Sequence, residues 1–235
     1  MNLSETIPEL FTVKTLLTSF LLIIFPASLG LLLASVVTFF RIRRFPIISE
    51  LSDIYVSFTR SVPCVLQLFI VFYAIPAILS IIGLNFVDDI EALPASILGL
   101  SFYHSGYLSE VIRPAYLSVS EGQHDAADSL GYTSRQKFFK IIFPQLVPVA
   151  LPGWGNALIY LVHNSALVMY IGVTDVMSEA HIIMEQQYNQ YQLEMYFVLA
   201  LFYCLICLLI KFVVIVFEKF TKAYRLDSGI VKERN

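Results

Sequence analysis

Long apolar segments alternate with short polar segments along the whole chain. Each apolar segment is long enough to cross the hydrocarbon core of a bilayer, which takes about 20 residues in a helix. Five segments fit this description: Val13–Phe40, Tyr55–Ile82, Pro94–Pro114, Pro152–Val176 and Met195–Phe217. The pattern predicts an all-α polytopic membrane protein with five transmembrane helices.

The composition agrees with a membrane protein. The chain has 235 residues, of which 57% are hydrophobic and 14% are charged, whereas about 25% are charged in soluble proteins. The mean hydropathy is +0.75. We therefore expect one membrane domain over residues 1–235, with its core at 13–220 and no nucleic-acid partner. The cysteines at 64, 204 and 207 fall in apolar segments, so we interpret them as small buried hydrophobic residues.

The charges between the apolar segments alternate in sign from loop to loop. Basic residues follow the first and fifth segments and lie between the third and fourth, whereas the other loops are acidic. The basic flanks are Arg41, Arg43, Arg44, Lys219, Lys222, Arg225, Lys232 and Arg234, and the acids are Asp88, Asp89, Glu91, Glu179, Glu185 and Glu194. Because basic loops stay on the cytoplasmic side, the pattern predicts an external N-terminus and a cytoplasmic C-terminus.

The longest polar segment, Glu121–Gln145, lies between the third and fourth apolar segments and predicts two short helices. The first, Glu121–Leu130, contains no proline, and Gly131 is a typical residue at the C-terminal end of a helix. Thr133 and Gln136 have the T-x-x-Q spacing of a capping box, which predicts the start of a second helix. The charge pattern places this segment in the cytoplasm.

Apolar and small residues inside this segment indicate a docking surface. Ala126, Ala127 and Leu130 are expected on one flank of the first helix, where small side chains allow another protein to approach closely. The second helix is expected to return to the membrane. Pro144 closes the segment, and the fourth span is entered through Pro144, Pro148 and Pro152.

The same segment resembles the EAA loop of ABC importer permeases. The resemblance rests on Asp125-Ala126-Ala127, Gly131, Ile141 and Pro144 at the family's spacing. The flanking Glu121-Gly122-Gln123 is similar to the branch that imports polar amino acids, which includes histidine, glutamine, arginine and cystine permeases. The resemblance implies a cytoplasmic coupling helix between spans three and four. The implied coupling residues are Glu121, Gly122, Asp125, Ala126, Ala127 and Gly131.

The resemblance also implies partners in a multi-pass permease of the cell membrane. The sequence contains no G-x-x-x-x-G-K-[ST] motif, so we expect ATP and magnesium to bind to a separate cytoplasmic ATP-binding subunit. This chain is then a transport subunit without enzymatic activity or a cofactor of its own. A second permease copy or a sister permease would complete the pathway, and an extracytoplasmic binding protein would deliver the amino acid.

Polar residues in the second and third spans are candidates for the transport pathway. Gln67 follows Arg60-Ser61-Val62-Pro63, a stretch similar to the family's R-G-T-P signature, and its amide either faces the pathway or bonds another helix. Tyr103, Tyr107 and Glu110 fall on one face of the third span. Glu110 alternatively pairs with Arg113, three residues later.

His163, Asn164 and Ser165 form a polar cluster in the fourth span. They follow Pro152 by eleven residues or more, which corresponds to about 16 Å of helix and places them near the bilayer midplane. The resemblance implies that this turn lines the pathway, and that Asn164 stands where the family often has an acidic residue. Alternatively, His163 and Asn164 bond the backbone or a neighbouring helix.

Two other classes of function are alternatives to the permease. A proton-coupled secondary carrier would explain the membrane helices, but five spans cannot form two equal inverted halves. An intramembrane hydrolase would pair Ser101 or Ser165 with His104 or His163, since a nucleophile needs a base within hydrogen-bonding reach.

Overall fold

The computed structural model of the protein describes residues 3–83 and 90–227, and every regular element in these ranges is helical. The helices are α1 (Leu3–Leu10), α2 (Val13–Arg43), α3 (Ile48–Ser61), α4 (Cys64–Ile81), α5 (Ala92–Leu117), α6 (Glu121–Ser129), α7 (Ser134–Ile171), α8 (Val176–Gln186) and α9 (Gln192–Asp227). The predicted all-α class is confirmed for these residues. Among the charges used for the orientation, Asp88, Asp89, Lys232 and Arg234 lie outside them.

Four of the described helices are long and apolar enough to cross a membrane, namely α2, α4, α7 and α9. The third predicted span corresponds to α5, whose 26 residues are about 39 Å long. It is less apolar because it carries several buried polar side chains: Ser96, Ser101, His104, Ser105 and Ser109. These side chains face other helices rather than lipid. The protein is thus a polytopic membrane protein, and the number of five spans stays a prediction.

The second span begins later than the sequence predicted. Helix α3 ends at Ser61, and Val62 has an extended backbone with φ −91° and ψ 129°. The ring of the following Pro63 disfavours a helical conformation at Val62, so the chain breaks there. The membrane helix α4 starts afresh at Cys64. Residues 55–61 therefore belong to a separate helix, and their assignment to the second span was wrong.

The fourth span begins earlier than predicted and contains the prolines that were expected to precede it. Helix α7 continues from Ser134 to Ile171 and includes Pro144, Pro148 and Pro152. The expectation that Pro144 closes the polar segment was therefore wrong. The predicted end at residue 176 was also too late, because that residue begins α8.

A widened helical turn explains why the first of these prolines does not end the helix. Directly before Pro144, the N–H of Phe143 donates to the carbonyl of Phe138 in a π turn. Proline has no N–H and clashes with the carbonyl four residues before it, and the wider turn displaces that carbonyl. A second π turn, Ile70–Ala74, precedes Pro76 in α4 in the same way.

Helix α5 lies at the centre of the bundle. It packs along most of α2 and also contacts α3, α4 and α7. Small residues allow the close approach of α2, because a Cβ atom on Gly30 would lie 2.8 Å from Cδ2 of His104. Ala34 is fully buried in the same contact region. Small residues of this kind are typical of contacts between membrane helices.

Two larger apolar clusters join further helices of the bundle. The first joins α2, α4, α5 and α7 through Leu22, Leu68, Leu100 and Leu161. The second joins α1, α8 and α9 and is separate from the polar residues considered below. Helix α6 belongs to neither cluster, and it follows α5 after a short turn.

Candidate functional site

Helix α6 and the bend after it form the structure that the sequence predicted for the polar segment. The helix ends at Ser129, and Gly131 has a φ of +72°. The N–H of Tyr132 donates to the carbonyl of Ala127, and the N–H of Gly131 donates to the backbone carbonyl of Asp128. These two hydrogen bonds constitute a Schellman motif, in which glycine adopts the left-handed conformation without steric cost. The predicted stop is confirmed.

The predicted capping box starts the next helix. The side chain of Thr133 accepts a hydrogen bond from the N–H of Gln136, and the Gln136 side chain accepts one from the N–H of Thr133. The ammonium of Lys137 also contacts both carboxylate oxygens of Asp128 at 2.7 Å. This ion pair joins α6 to the start of α7 across the glycine bend.

The surface of α6 is almost entirely open. Five of the six predicted coupling residues are exposed: Glu121, Gly122, Asp125, Ala126 and Gly131. The sixth, Ala127, is 2% exposed and faces the rest of the chain. Leu130 is 73% exposed. The expected apolar flank is therefore divided, because Ala127 packs inward whereas Ala126 and Leu130 face outward.

A network of charges joins α2, α3 and α5. Nη1 of Arg41 lies 2.7 Å from Oε1 of Glu110, and Nη1 of Arg60 lies 3.0 Å from Oε2. Arg41 also contacts Asp53 through Nε at 2.6 Å. The alternative pair of Glu110 with Arg113 was wrong, since both carboxylate oxygens of Glu110 bind arginines from other helices.

An aromatic face extends along α5 from Glu110. The rings of Tyr103 and Tyr107 are 4.9 Å apart, and Tyr107 is 6.4 Å from Tyr160 on α7. The phenol of Tyr103 interacts with the side chain of Asn164. All four side chains are partly or largely exposed. Tyr103, Tyr107, Tyr160 and Asn164 thus place uncharged polar groups on one accessible surface, which we call the tyrosine face.

The three polar residues near the end of α7 point in different directions. The Asn164 amide donates to the carbonyl of Tyr160 and lies beside the tyrosine face. Nε2 of His163 lies 3.6 Å from Sγ of Cys207 on α9. Ser165 is buried and donates to the carbonyl of Val162. Of the three, only Asn164 lies beside the tyrosine face.

The distance along α7 that placed these residues near the midplane started from the wrong residue, because the helix does not begin at Pro152. The contact of His163 gives a new reference. Cys207 lies 15 residues after the start of α9 at Gln192, close to the middle of that long helix.

Cys204, on the same helix, is exposed, so the expectation that all three cysteines are buried was wrong there.

Gln67 is buried and bonded to the backbone. Its amide donates to the carbonyls of Thr59 and Val62, at 2.9 and 2.8 Å. These carbonyls lie at the end of α3, where the helix break removes their intrahelical partners. Gln67 therefore stabilises the break before Pro63, and its place in a transport pathway stays a prediction.

The serine and histidine pairs required for a hydrolase are not assembled. The hydroxyl of Ser101 donates to the carbonyl of Ile97 rather than to His104. His104 is 2% exposed, and its Nε2 atom has no partner among the described residues. A buried serine bonded to its own helix has no activated hydroxyl, so the geometry gives no nucleophile.

Three side chains of this region were not among the predicted site residues: Arg41, Arg60 and Tyr160. Arg60 was visible in the sequence as a charge beside a proline, and Arg41 as one of several basic residues after the first span. The common partner of the two arginines is Glu110, which lies 50 residues after Arg60 and 69 residues after Arg41. In the sequence, only the presence of an acid within the third span indicated that a basic partner is needed.

Comparison with known proteins identifies related sequences over most of the chain. Residues 27–222 match the family described as binding-protein-dependent transport system inner membrane component. The L-cystine transport system permease protein TcyL of Bacillus subtilis is 33% identical over 197 residues, which cover 84% of this chain and 80% of that protein. The probable amino-acid ABC transporter permease protein PatM of Vibrio harveyi is 30% identical and covers 86% of each chain.

Solved structures with the same architecture agree with the sequence relatives. An amino acid ABC transporter with histidines has a TM-score of 0.76 and 26% identity, covering 92% of this chain and 95% of its own. The inward-facing MetNI methionine ABC transporter has a TM-score of 0.69 at 20% identity, covering 94% and 99%. The second likeness shows the fold alone.

Proposed function

Because the chain belongs to the family of binding-protein-dependent transport system inner membrane components, we propose that it carries a polar amino acid across the cell membrane. The chain is a multi-pass permease subunit of an ATP-driven ABC importer. It lacks an ATPase motif, and in this family a separate subunit hydrolyses ATP. The permease assignment replaces the secondary carrier and the hydrolase.

The proposed topology has five spans, with α5 as the third. Helix α5 is long enough to cross the membrane, and its polar side chains are buried against α2, α3 and α4 rather than turned toward lipid. With an external N-terminus, the segment with α6 lies in the cytoplasm, on the same side as Arg43 and Arg44. An ATP-binding subunit, with its ATP and magnesium, would meet the chain on that side.

Helix α6 is proposed as the coupling helix. The observation that carries this assignment is the exposed unit of α6, the Gly131 bend and the Thr133 capping box, which makes few contacts with the rest of the chain. Ala126 and Leu130 face outward, which suits docking into a groove of the ATP-binding subunit. The Lys137–Asp128 ion pair would transmit movement of α6 to α7.

The tyrosine face is proposed as one wall of the pathway. Tyr160 is 57% exposed, which is unusual for a tyrosine beside other polar groups in a membrane helix unless water or another subunit covers it. A second permease copy or a sister permease facing this wall would enclose the pathway. Each chain would then supply half of it, and an extracytoplasmic binding protein would deliver the substrate.

The side chains of the tyrosine face favour an amino acid without a net charge. Tyr103, Tyr107, Tyr160 and Asn164 offer hydroxyl and amide groups. The nearby acid, Glu110, is already bound by two arginines. Zwitterionic substrates such as glutamine, histidine or cystine therefore suit this wall better than arginine or lysine.

The proposal can be tested by reconstituting the chain in lipid with its ATP-binding subunit and binding protein. ATPase activity is then measured with a panel of amino acids. We expect stimulation by one or a few zwitterionic polar amino acids. Stimulation by arginine or lysine alone would contradict the substrate class but keep the importer. Failure of the ATP-binding subunit to associate would contradict the coupling role of α6.

A further inference from the structure

A large apolar cleft opens between α2, α5 and the first half of α7. Its volume is about 1140 Å³, slightly above the range typical of sites for small organic ligands. Apolar side chains from all three helices line it, including Leu31, Val111, Leu146 and Ala150. The cleft is separate from the tyrosine face, and it holds none of the predicted pathway residues.

One end of the cleft is basic. Arg43, Arg135 and Lys137 line it there together with His124, and the described lining residues include no carboxylate. Lys137 is bound to Asp128, whereas Arg43 and Arg135 form no ion pair within the described ranges. The guanidinium of Arg43 lies 5.6 Å from the centre of the Phe39 ring. Because no carboxylate binds the Arg43 guanidinium among the described residues, its N–H donors are available for an anion.

The other end of the cleft is bounded by Trp154. This residue lies 17 positions after Lys137 on α7, which corresponds to about 25 Å along the helix. That length is slightly greater than half the thickness of a bilayer with its headgroup region, which is about 20 to 22 Å. The buried Nε1 atom of Trp154 has no hydrogen-bond partner among the described residues.

We propose that this cleft binds an anionic phospholipid, with an acyl chain along the apolar walls and the phosphate at Arg43 and Arg135. A polar amino acid would leave the apolar walls unfilled and its own charges unsolvated, so the transported substrate does not suit the cleft. Basic pockets between membrane helices on the cytoplasmic side are suited to acidic lipid headgroups. A long apolar cleft with one basic end therefore suits an amphipathic anion.

The lipid would connect the first span to the segment that follows α6. Arg43 lies at the end of α2, and Arg135 lies at the start of α7, directly after the glycine bend. A phosphate bound by both would hold the start of α7 against α2. This role is independent of the identity of the transported substrate and of the ATP-binding subunit.

The single tryptophan of the chain makes the cleft directly measurable. Trp154 is the only tryptophan, so the fluorescence of the purified full chain reports on this position. The chain is placed in phosphatidylcholine nanodiscs that contain a small fixed fraction of brominated lipid, either phosphatidylglycerol or phosphatidylcholine. Bromine quenches a nearby indole, and we expect brominated phosphatidylglycerol to quench Trp154 more strongly than brominated phosphatidylcholine at the same fraction.

Two variants assign the preference to the basic end of the cleft. Each of Arg43→Gln and Arg135→Gln is expected to reduce the preference for phosphatidylglycerol about fivefold, the effect of one basic residue on anionic lipid. Lys140→Gln is the matched control, because Lys140 carries the same charge nearby but does not line the cleft. Size-exclusion elution and circular dichroism identify any variant that fails to fold.

Three results would overturn the proposal. Equal quenching of the unaltered chain by both brominated lipids would mean that the cleft does not recognise the headgroup. No quenching by either lipid would mean that protein, such as a second copy of the chain, covers the cleft. An unchanged preference in both arginine variants, with both folded, would place the anionic lipid elsewhere.

Discussion

Glu110 of α5 binds the guanidinium of Arg41 from α2, with 2.7 Å between Oε1 and Nη1, although 69 residues separate them in the chain. The side chain of Arg41 is only 10% exposed, and Ser109 also accepts a hydrogen bond from it. The other carboxylate oxygen of Glu110 receives Arg60 from the end of α3. One carboxylate therefore holds three helices together.

Replacing this carboxylate should destabilise the bundle. In Glu110→Gln, the poorly solvated Arg41 keeps only Asp53 as an ionic partner, and we expect a loss of about 1–3 kcal/mol in the free energy of unfolding. The matched control is Arg60→Gln, because that side chain is 50% exposed and such pairs contribute about 1 kcal/mol or less. Thermal unfolding in detergent measures both variants. Equal losses would contradict the special role of the Arg41–Glu110 pair.

The contact of α3 with α5 depends on a glycine. A Cβ atom on Gly106 would overlap Oγ1 of Thr59 and would lie 2.7 Å from its Cβ. Gly106→Ala should therefore force the helices apart and cost about 1–3 kcal/mol or more, as overpacking does. Gly122→Ala is the control, since nothing lies within 4 Å of that position. Unfolding midpoints that fall equally in both variants would contradict the predicted clash.

A second substitution distinguishes this clash from a general intolerance of side chains at residue 106. Thr59→Gly removes the three atoms nearest to the new Cβ, all of which belong to the Thr59 side chain. The double variant Gly106→Ala, Thr59→Gly should thus be more stable than the sum of the two single losses predicts. Strict additivity would mean that the alanine acts through something other than Thr59.

The polar segment was well predicted from the sequence because its structure depends on neighbours only a few residues apart. Gly131 ends α6 through its own left-handed backbone, and Thr133 bonds Gln136 within one turn. The partners of Glu110 could not be predicted in the same way. A local rule favoured Arg113, whereas packing brought Arg41 and Arg60 to the carboxylate.

The proline-rich start of the fourth span shows a different limit of local reasoning. Proline normally ends or kinks a helix, so the sequence indicated that Pro144 stands before the span. The π turn before it needs one additional residue in the turn, and nothing in the pattern of apolar residues marks that insertion. The predicted depth of His163, Asn164 and Ser165 was affected as well, because it was measured from Pro152, which lies inside α7 rather than at its start.

The bend after α6 should require glycine for its conformation rather than for its size. Gly131 has a φ of +72° and open space around it, so the position restricts backbone conformation only. Gly131→Val should cost about 1–2 kcal/mol because a β-branched residue is strained there, whereas Gly131→Asn should be tolerated. We expect uptake coupled to ATP hydrolysis to fall in the valine variant and to persist in the asparagine variant. The reverse order would contradict a role for the bend in coupling.

If the tyrosine face lines the pathway, a charge at residue 164 should change the preferred substrate. Asn164 interacts with Tyr103, and a carboxylate there would attract a cationic side chain. Asn164→Asp should therefore increase the stimulation of ATPase activity by arginine relative to that by glutamine. Asn156→Asp is the control, because Asn156 is an exposed residue two turns earlier on α7. The same shift in both variants would show that the added charge acts at long range, and not in the pathway.

A buried carboxylate outside the spans should give the protein a measurable dependence on pH. Asp175 caps the N-terminus of α8, where Oδ1 accepts hydrogen bonds from the N–H and the hydroxyl of Ser178 at 2.9 and 2.8 Å. The residue is 1% exposed, and Oδ2 has no partner among the described residues. Burial therefore raises the pKa of Asp175, and the hydrogen bonds from Ser178 oppose this increase only in part.

The direction of the pH effect follows from this raised pKa. The folded protein binds the proton of Asp175 more tightly than the unfolded chain, whose pKa is about 4. The contribution of Asp175 to stability is therefore greatest below about pH 4, and it falls as the pH rises toward the pKa of the folded state. Asp175→Asn keeps the cap without titrating, since asparagine is as good a capping residue as aspartate. Compared with this variant, the unaltered protein should lose stability between acidic and neutral pH.

The alanine variant separates the cap from the charge. Asp175→Ala loses the acceptor for the N–H of Ser178, so it should be less stable than Asp175→Asn by about 1 kcal/mol at every pH. The unaltered protein should approach the asparagine variant at acidic pH and fall below it at neutral pH, because only its buried carboxylate must ionise. Thermal unfolding across this range measures all three proteins. A constant difference between the unaltered protein and Asp175→Asn would mean that the carboxylate ionises as readily in the folded protein as in the unfolded chain.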